Sequence, residues 1–355
     1  MAIKLCVIFG GKSSEYEVSC KSAYNILKNL DKEKYDIIKF GITKDGATWL
    51  YTGNDKDLLD GSWENHDCEP CVISHCPKTE GLIKLADGKF EKIKVDAFFP
   101  VLHGKNGEDG TIQGIFELAQ IPYVGSGVTA SALCMDKIFT KNVLQCAGIP
   151  VAEGFYIIKG EEKDIEKINE RIKASFGYPV VVKPSNAGSS VGVSLVEDEN
   201  DLMSALKIAM AEDRRVLIER KIEKRELECA VFGNHNEAYA SVLGEVITLS
   251  KMYDYSTKYE DTATKTQIPA EIETEISDKI RDLAVRAFLA CDCTGLARVD
   301  FFVEKGTNKI YLNEINTLPG FTNISMYPML WEETGVSYSE LLDKLIDLAI
   351  KETEA

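Results

Sequence analysis

RVDFFVEKGTNKIYLNEINTLPG, residues 298–320, reads as two strands joined by a turn at Lys305-Gly306-Thr307-Asn308. Side chains alternate faces along a strand, so Arg298 shares a face with Asp300, and Glu314 shares one with Asn316. Folding about that turn sets Asp300 roughly opposite Asn313–Glu314. Two carboxylates and an amide then converge, without sulfur or imidazole. That donor set suits a hard cation that keeps some of its waters, and Mg²⁺ fits it best. A guanidinium beside such a cluster suits a phosphate or a developing oxyanion. Phe301, Val303, Ile310, Leu312 and Ile315 supply an apolar opposite face, so the hairpin is expected to lie on a core.

The rest of the chain supplies a frame. Its 355 residues allow two or three domains, and 45% hydrophobic content is enough for real cores. A net charge of −16 argues against a nucleic-acid partner, which would need a basic surface. No apolar run approaches the roughly 18 residues of a membrane span. The start, MAIKLCVIFGGK, reads as a buried strand ending in a Gly-Gly turn and lacks a signal-peptide pattern, so a cytoplasmic location is expected. Ten cysteines in such a chain are expected as free thiols. Cys68, Cys71, His75 and Cys76 resemble half a zinc knuckle, but no second C-x-x-C follows, and an irregular surface insertion is the favoured reading.

Strand-like segments at 3–9, 35–40 and 96–102 alternate with a helix running from about Ser19 to Leu30, which implies a parallel α/β layer. Polar, Gly-rich hairpin material at 44–94 interrupts it. The expected units are 1–125, 126–217 and 218–355, the last closing in an amphipathic helix from Ser339 to Ile350.

Several loops carry chemistry. Lys183-Pro-Ser-Asn-Ala-Gly-Ser-Ser-Val-Gly192 joins two strands through small residues whose N–H groups can approach phosphate, with Lys183 as a cation. It lacks the G-K-[ST] of a Walker A loop, and alone it fits a plain hairpin loop equally well. Lys137, at a helix start, is a second phosphate candidate; a solvated helix lysine is its plainer reading. The strand 216–223 ends in charge and can offer backbone groups to a base and carboxylates to ribose hydroxyls. Glu15, in the loop after the first strand, can hold an ammonium group or simply favour a helix N-terminus. His103 follows a strand C-terminus, the usual ligand side of an open sheet, and faces an anion or lies in an ordinary loop. Residues 251–265 read as a lid over a site or as a plain surface loop.

In this order the segments 10–19, 103–125, 135–137, 183–192, 218–228, 254–259, 298–300 and 313–329 resemble the ATP-grasp superfamily, and within it the D-alanine–D-alanine ligase family with its vancomycin-resistance relatives. The resemblance covers most of the chain outside 44–94. It implies an α/β fold of the α+β ATP-grasp kind, with an N-terminal parallel α/β domain followed by two α+β subdomains that clamp ATP. It implies Mg²⁺, with Mn²⁺ as its substitute, held by Asp300, Glu314 and Asn316. It assigns the phosphates to Lys137, Lys183 and Lys258, and the adenosine to Glu219, Arg220, Ile222 and Glu226, with Arg220 acting mainly through its backbone. Glu15 would orient the ammonium of the first D-alanine, with Ser189 and Tyr259 as hydrogen-bonded partners. His103 and Arg298 would surround its carboxyl group and the oxyanion. Ser325 would lie near the carboxylate of the second substrate, with Met326 beside its side chain. The family often carries Ser-His where this chain has Asn323-Ile324. The expected product is D-alanyl-D-alanine, with D-alanyl-D-serine as the alternative, and the expected assembly is a homodimer.

Overall fold

The computed structural model describes residues 2–86, 88–248 and 264–354. Its strands form three sheets. In the first, Tyr35–Ile42, Ile3–Gly10 and Ala97–Val101 lie parallel, with Ile3–Gly10 in the middle. The helix Tyr16–Asn29 makes the crossover between the first two, as a parallel pair requires. This is the expected α/β layer.

The segment 44–94 does not interrupt that layer. It continues the same sheet with four further strands, Thr48–Tyr51, Cys68–Ile73, Gly81–Ala86 and Lys89–Lys94, each antiparallel to its neighbour. Cys68 and Cys71 therefore lie in regular sheet, while His66, His75 and Cys76 lie in the irregular segments around it. Cys71 is buried on the core face, while His66, His75 and Cys76 are exposed. Among the described residues no group of three His, Cys, Asp or Glu side chains is placed to hold a metal ion.

The second sheet orders Ser194–Val196, Val180–Pro184, Arg215–Arg220 and Gly154–Ile158, all antiparallel. Its apolar face carries the helices Ile165–Ser175 and Leu202–Glu212 through Ile168, Ile172, Leu202, Leu206 and Ala209. The third orders Thr264–Gln267, Ala238–Thr248, Lys224–Gly233, Gly295–Glu304 and Ile310–Asn316, again antiparallel. The helix Thr274–Ala290 covers one face of it. Among the described residues no helix is long and apolar enough to cross a membrane.

The closing helix, Tyr338–Glu354, buries Leu341, Leu342, Leu345 and Ile346, a stripe at helical spacing. The stripe packs on the other end of the chain. It shares one core with Ile26, Leu27, Leu30 and Tyr35, and Tyr35 Oη donates to Asp343 at 2.8 Å. First and last elements thus stabilise each other.

Gly10 ends the first strand with φ +86°, and a Cβ there would lie 2.1 Å from the Ile42 carbonyl oxygen. Only glycine lets the chain leave the sheet at this point into the loop that carries Glu15.

Leu345→Ala is expected to lower stability by about 2–5 kcal/mol, the usual cost of emptying a fully buried leucine site. Urea unfolding followed by tryptophan fluorescence should report it as one cooperative shift. An unchanged midpoint would mean that the helix is not part of this core.

Candidate active site

The hairpin is built as its turn dictates, with one departure. Asp300 pairs with Glu314 and Arg298 with Asn316, but Phe301 pairs with Leu312, so Asn313 is skipped in a bulge. The bulge exchanges the faces of the second strand. Ile310 and Leu312 point into the core before it, and Ile315 does so after it. Glu314 and Asn316 are thereby turned toward Asp300.

On the other flank Glu228 pairs with Asp300. Three carboxylates therefore stand side by side on three adjacent strands. Like charges directly opposed on a sheet are destabilising unless something intervenes. Arg298 intervenes. Its Nε lies 2.8 Å from Asp300 Oδ1 and 2.9 Å from Glu228 Oε2, and its Nη2 lies 2.7 Å from Asp300 Oδ2. Burial opposes the charge on this guanidinium, yet Asp300 and Glu228 hold its pKa well above the ordinary range. Asn316 Nδ2 also donates to Asp300 Oδ2 at 3.0 Å.

Glu228, Asp300 and Glu314 all line one cavity. Asp300, Glu314 and the amide oxygen of Asn316 could hold a hard divalent cation. This set has two carboxylates and one amide. It suits an ion that takes its other ligands from water and phosphate.

The cavity, of about 210 Å³, lies between the second and third sheets and is lined by Lys137, Lys183, Glu219, Ile222, Glu226, Asp300 and Glu314 among others. Asp136 places Lys137. It caps the helix Lys137–Cys146, accepting from Ile138 N and Phe139 N at 3.1 Å each. The same carboxylate accepts from Ser185 Oγ at 2.7 Å and pairs with Arg215, which ties the helix start to the end of the Lys183 strand. Lys137 Nζ donates to the Ala187 carbonyl in the loop beyond, at 2.6 Å. Burial draws the Lys137 pKa down, and Glu314 partly restores it.

Glu219 lies between two ammonium groups. Lys183 pairs with its Oε2 and Lys141 with its Oε1, and all three side chains are at least nine-tenths buried. Burial raises the Glu219 pKa, but Lys141 and Lys183 more than reverse this and bring it down to about 2. Nearby, Lys224 pairs with Glu226 at 2.8 Å and lies over the Phe302 ring, 3.5 Å from its centre. Arg220 turns its side chain away to Glu304 and Tyr311.

A second cavity, of about 70 Å³, is lined by Glu15, His103, Glu108, Ser189, Arg298, Asn316 and Leu318 among others. Glu15 is buried at the start of its helix, and its side chain does not cap that helix. Its Oε2 lies against Gly188, where an added Cβ would be 3.4 Å away. Ser189 and Ser190 follow with φ of 51° and 58°, a left-handed pair, and the Ser189 hydroxyl is buried without a hydrogen-bond partner among the described residues. His103 Nδ1 donates to the Leu318 carbonyl at 2.9 Å, which puts a proton on that nitrogen. Glu108 accepts from Gly104 N at 2.7 Å and from Leu318 N at 3.3 Å. Both backbone polar groups of Leu318 are thus held by the N-terminal loop.

Two expected positions are not brought to either cavity. Met326 is buried against Leu330 and Gly244, where an added Cβ would meet its Cε at 2.4 Å. It fills core, so the reading of Met326 as a wall for the second substrate is withdrawn. Ser325 Oγ is engaged with Thr322, accepting from its N at 2.9 Å. Lys258 and Tyr259, with most of the expected lid, lie outside the described residues. Sequence reasoning passed over Asp136, Lys141, Glu108 and Glu228. Asp136 carried a readable signal, since an aspartate directly before a helix is a cap pattern. Glu228 carried another, at strand spacing from Glu226.

Family models match at residues 4–126, described as the D-ala D-ala ligase N-terminus, and at residues 143–347, described as the D-ala D-ala ligase C-terminus. The chain is 51% identical to the D-alanine–D-alanine ligase of Acetivibrio thermocellus, over 98% of this chain and 96% of that protein. The structure superposes on the VanG D-Ala:D-Ser ligase from Enterococcus faecalis with a TM-score of 0.90, at 40% identity and covering 98% of this chain and all of that one. The D-alanine-D-alanine ligase from Coxiella burnetii gives 0.85 at 35% identity, covering 99% of this chain and 95% of that one.

The charge cluster at Glu219 fixes an expected pH dependence. A carboxyl group at about 2 when folded, against an ordinary 4.5, contributes stability that is complete above pH 4.5 and fades as pH falls toward 2. Glu219→Gln should therefore cost about 3–5 kcal/mol at pH 7, because it leaves two buried ammonium groups unpaired. That cost should shrink by about half or more at pH 3. Urea midpoints of both proteins at the two pH values check this, and an equal cost at both would count against the ion-pair account.

Proposed function

Because the chain belongs to the D-alanine–D-alanine ligase family, we propose that it joins two D-alanine molecules at the expense of ATP, in the cytoplasm, for peptidoglycan precursors. The observation that carries this reading is the junction of the two cavities. Lys137, Ser189, Arg298 and Glu314 line both. A nucleotide on one side would thus bring its terminal phosphate to a small substrate on the other.

A carboxylate is a poor acyl donor, so it has to be activated before an amine can attack it. Lys137 and Lys183 would hold the phosphates of ATP in the larger cavity. Glu226 and the backbone around Arg220 and Ile222 would hold the adenosine. A magnesium or manganese ion at Asp300, Glu314 and Asn316 would withdraw charge from the phosphate oxygens.

Glu15 would bind the ammonium group of the first D-alanine in the smaller cavity, with Ser189 beside it. That leaves its carboxylate near Arg298 and His103, directed at the γ-phosphate. Attack there releases ADP and forms an acyl phosphate. The amine of the second D-alanine then adds to the acyl carbon, and Arg298 would stabilise the tetrahedral oxyanion before phosphate departs. Glu228, which lines the larger cavity and not the smaller, would keep Arg298 in place.

Asp300→Asn or Glu314→Gln should lower kcat by about 10²–10³-fold or more while the fold survives. The check is ADP release with D-alanine at saturating Mg²⁺, beside thermal melting. Near-normal turnover with unchanged melting would remove the metal assignment.

Relatives of this chain are named D-alanine–D-alanine ligases, whose second substrate carries a methyl group. D-alanine is therefore expected to exceed D-serine in kcat/KM as second substrate, by no more than about 10²-fold because an apolar wall rejects an added hydroxyl weakly. D-lactate should give no appreciable product at neutral pH. Competition assays with product analysis decide this, and a preference for D-serine would favour the alternative dipeptide.

A further inference from the structure

Lys141 enters none of the roles above. It stands one helical turn after Lys137, on the same face of the helix. It is not among the described residues that line the nucleotide cavity, whereas Lys137, Lys183 and Glu219 all are. Its Nζ is spent behind that cavity, on Glu219 Oε1 and on the Ala152 carbonyl at 3.3 Å.

Glu219 also holds Lys183, through its other oxygen. Lys183 is thus stored on Glu219 at the mouth of the Ser/Gly loop, and it reaches a phosphate only by giving up some of that contact. Were Lys183 the sole counter-ion of Glu219, its departure would leave a bare carboxylate in a buried site. Removing one partner from a buried pair is among the costlier changes in a protein interior. With Lys141 in place, Glu219 keeps a full positive charge beside it while Lys183 moves.

We infer that Lys141 is a positioning residue for nucleotide binding: it holds Glu219 paired so that Lys183 is released to the phosphates. The inference rests on the nucleotide reading of the cavity. It predicts a defect that depends on phosphate. A ligand without phosphates does not call Lys183 away and gains nothing from Lys141.

The test is calorimetric binding of ADP and of adenosine to the full chain, with Lys141→Met compared with the wild type. ADP should bind about tenfold or more weakly to the variant, and adenosine within about twofold of its normal affinity. Lys141→Arg, which keeps the charge, should recover most of the ADP affinity. KM for ATP should rise more than kcat falls. If Lys141→Met does not fold by circular dichroism, Lys141→Gln keeps a hydrogen bond to Glu219 without the charge and should show the same phosphate-selective loss. Equal losses for ADP and adenosine, or no loss for either, would overturn the inference. A wild-type protein that binds no ADP would instead overturn the nucleotide reading itself.

Discussion

Arg298 is the group on which the site depends. Glu228, Asp300 and Glu314 oppose one another across three neighbouring strands, a placement that a sheet of ordinary composition avoids. One guanidinium makes it tolerable. At the other end of the cavity Lys141 and Lys183 share one carboxylate, with Lys137 nearby. Carboxylates thus gather where a cation is proposed and ammonium groups where phosphates are proposed. A nucleotide with its metal has the complementary pattern. The fold stores this polarity in buried side chains, where screening by water and salt is weak.

Much of this was legible in the sequence, for reasons of periodicity. A turn at Gly306 and a side-chain period of two set Asp300 opposite Asn313–Glu314, and the bulge makes Glu314 the partner. The same rule could not accommodate Ile310, Leu312 and Ile315 on one face, since an unbroken strand would turn Ile315 outward. The skipped residue at Asn313 resolves the conflict, and a bulge leaves no mark in composition. The amphipathic stripe of the closing helix was equally readable, but its partner was not, because a stripe records that a face is buried and not against what. The strands at 44–94 went unseen as members of the first sheet for a similar reason: antiparallel additions are fixed by long-range pairing.

Side-chain roles were less legible than positions. Met326 stands next to a motif serine, but at the start of a helix adjacent residues point in different directions, and its side chain turns to Gly244 and Leu330. Lys141 carries no signal in the sequence beyond its place on a helix. Only the fold shows that its outward-seeming position meets a strand carrying Glu219. Charges that act through another charge leave no local signature, and they are recovered only when both partners are placed.

The grip of the N-terminal loop on Leu318 bears on inheritance. Two separate family models cover the two parts of the chain, as if the parts were interchangeable modules. Yet the N–H and C=O of Leu318, two residues from Asn316, are satisfied by Glu108 and His103 from the other part. A hybrid that joined one parent's first 126 residues to another's remainder would have to preserve that contact or rebuild it. The halves are free to diverge in sequence, but at this seam they have to diverge together.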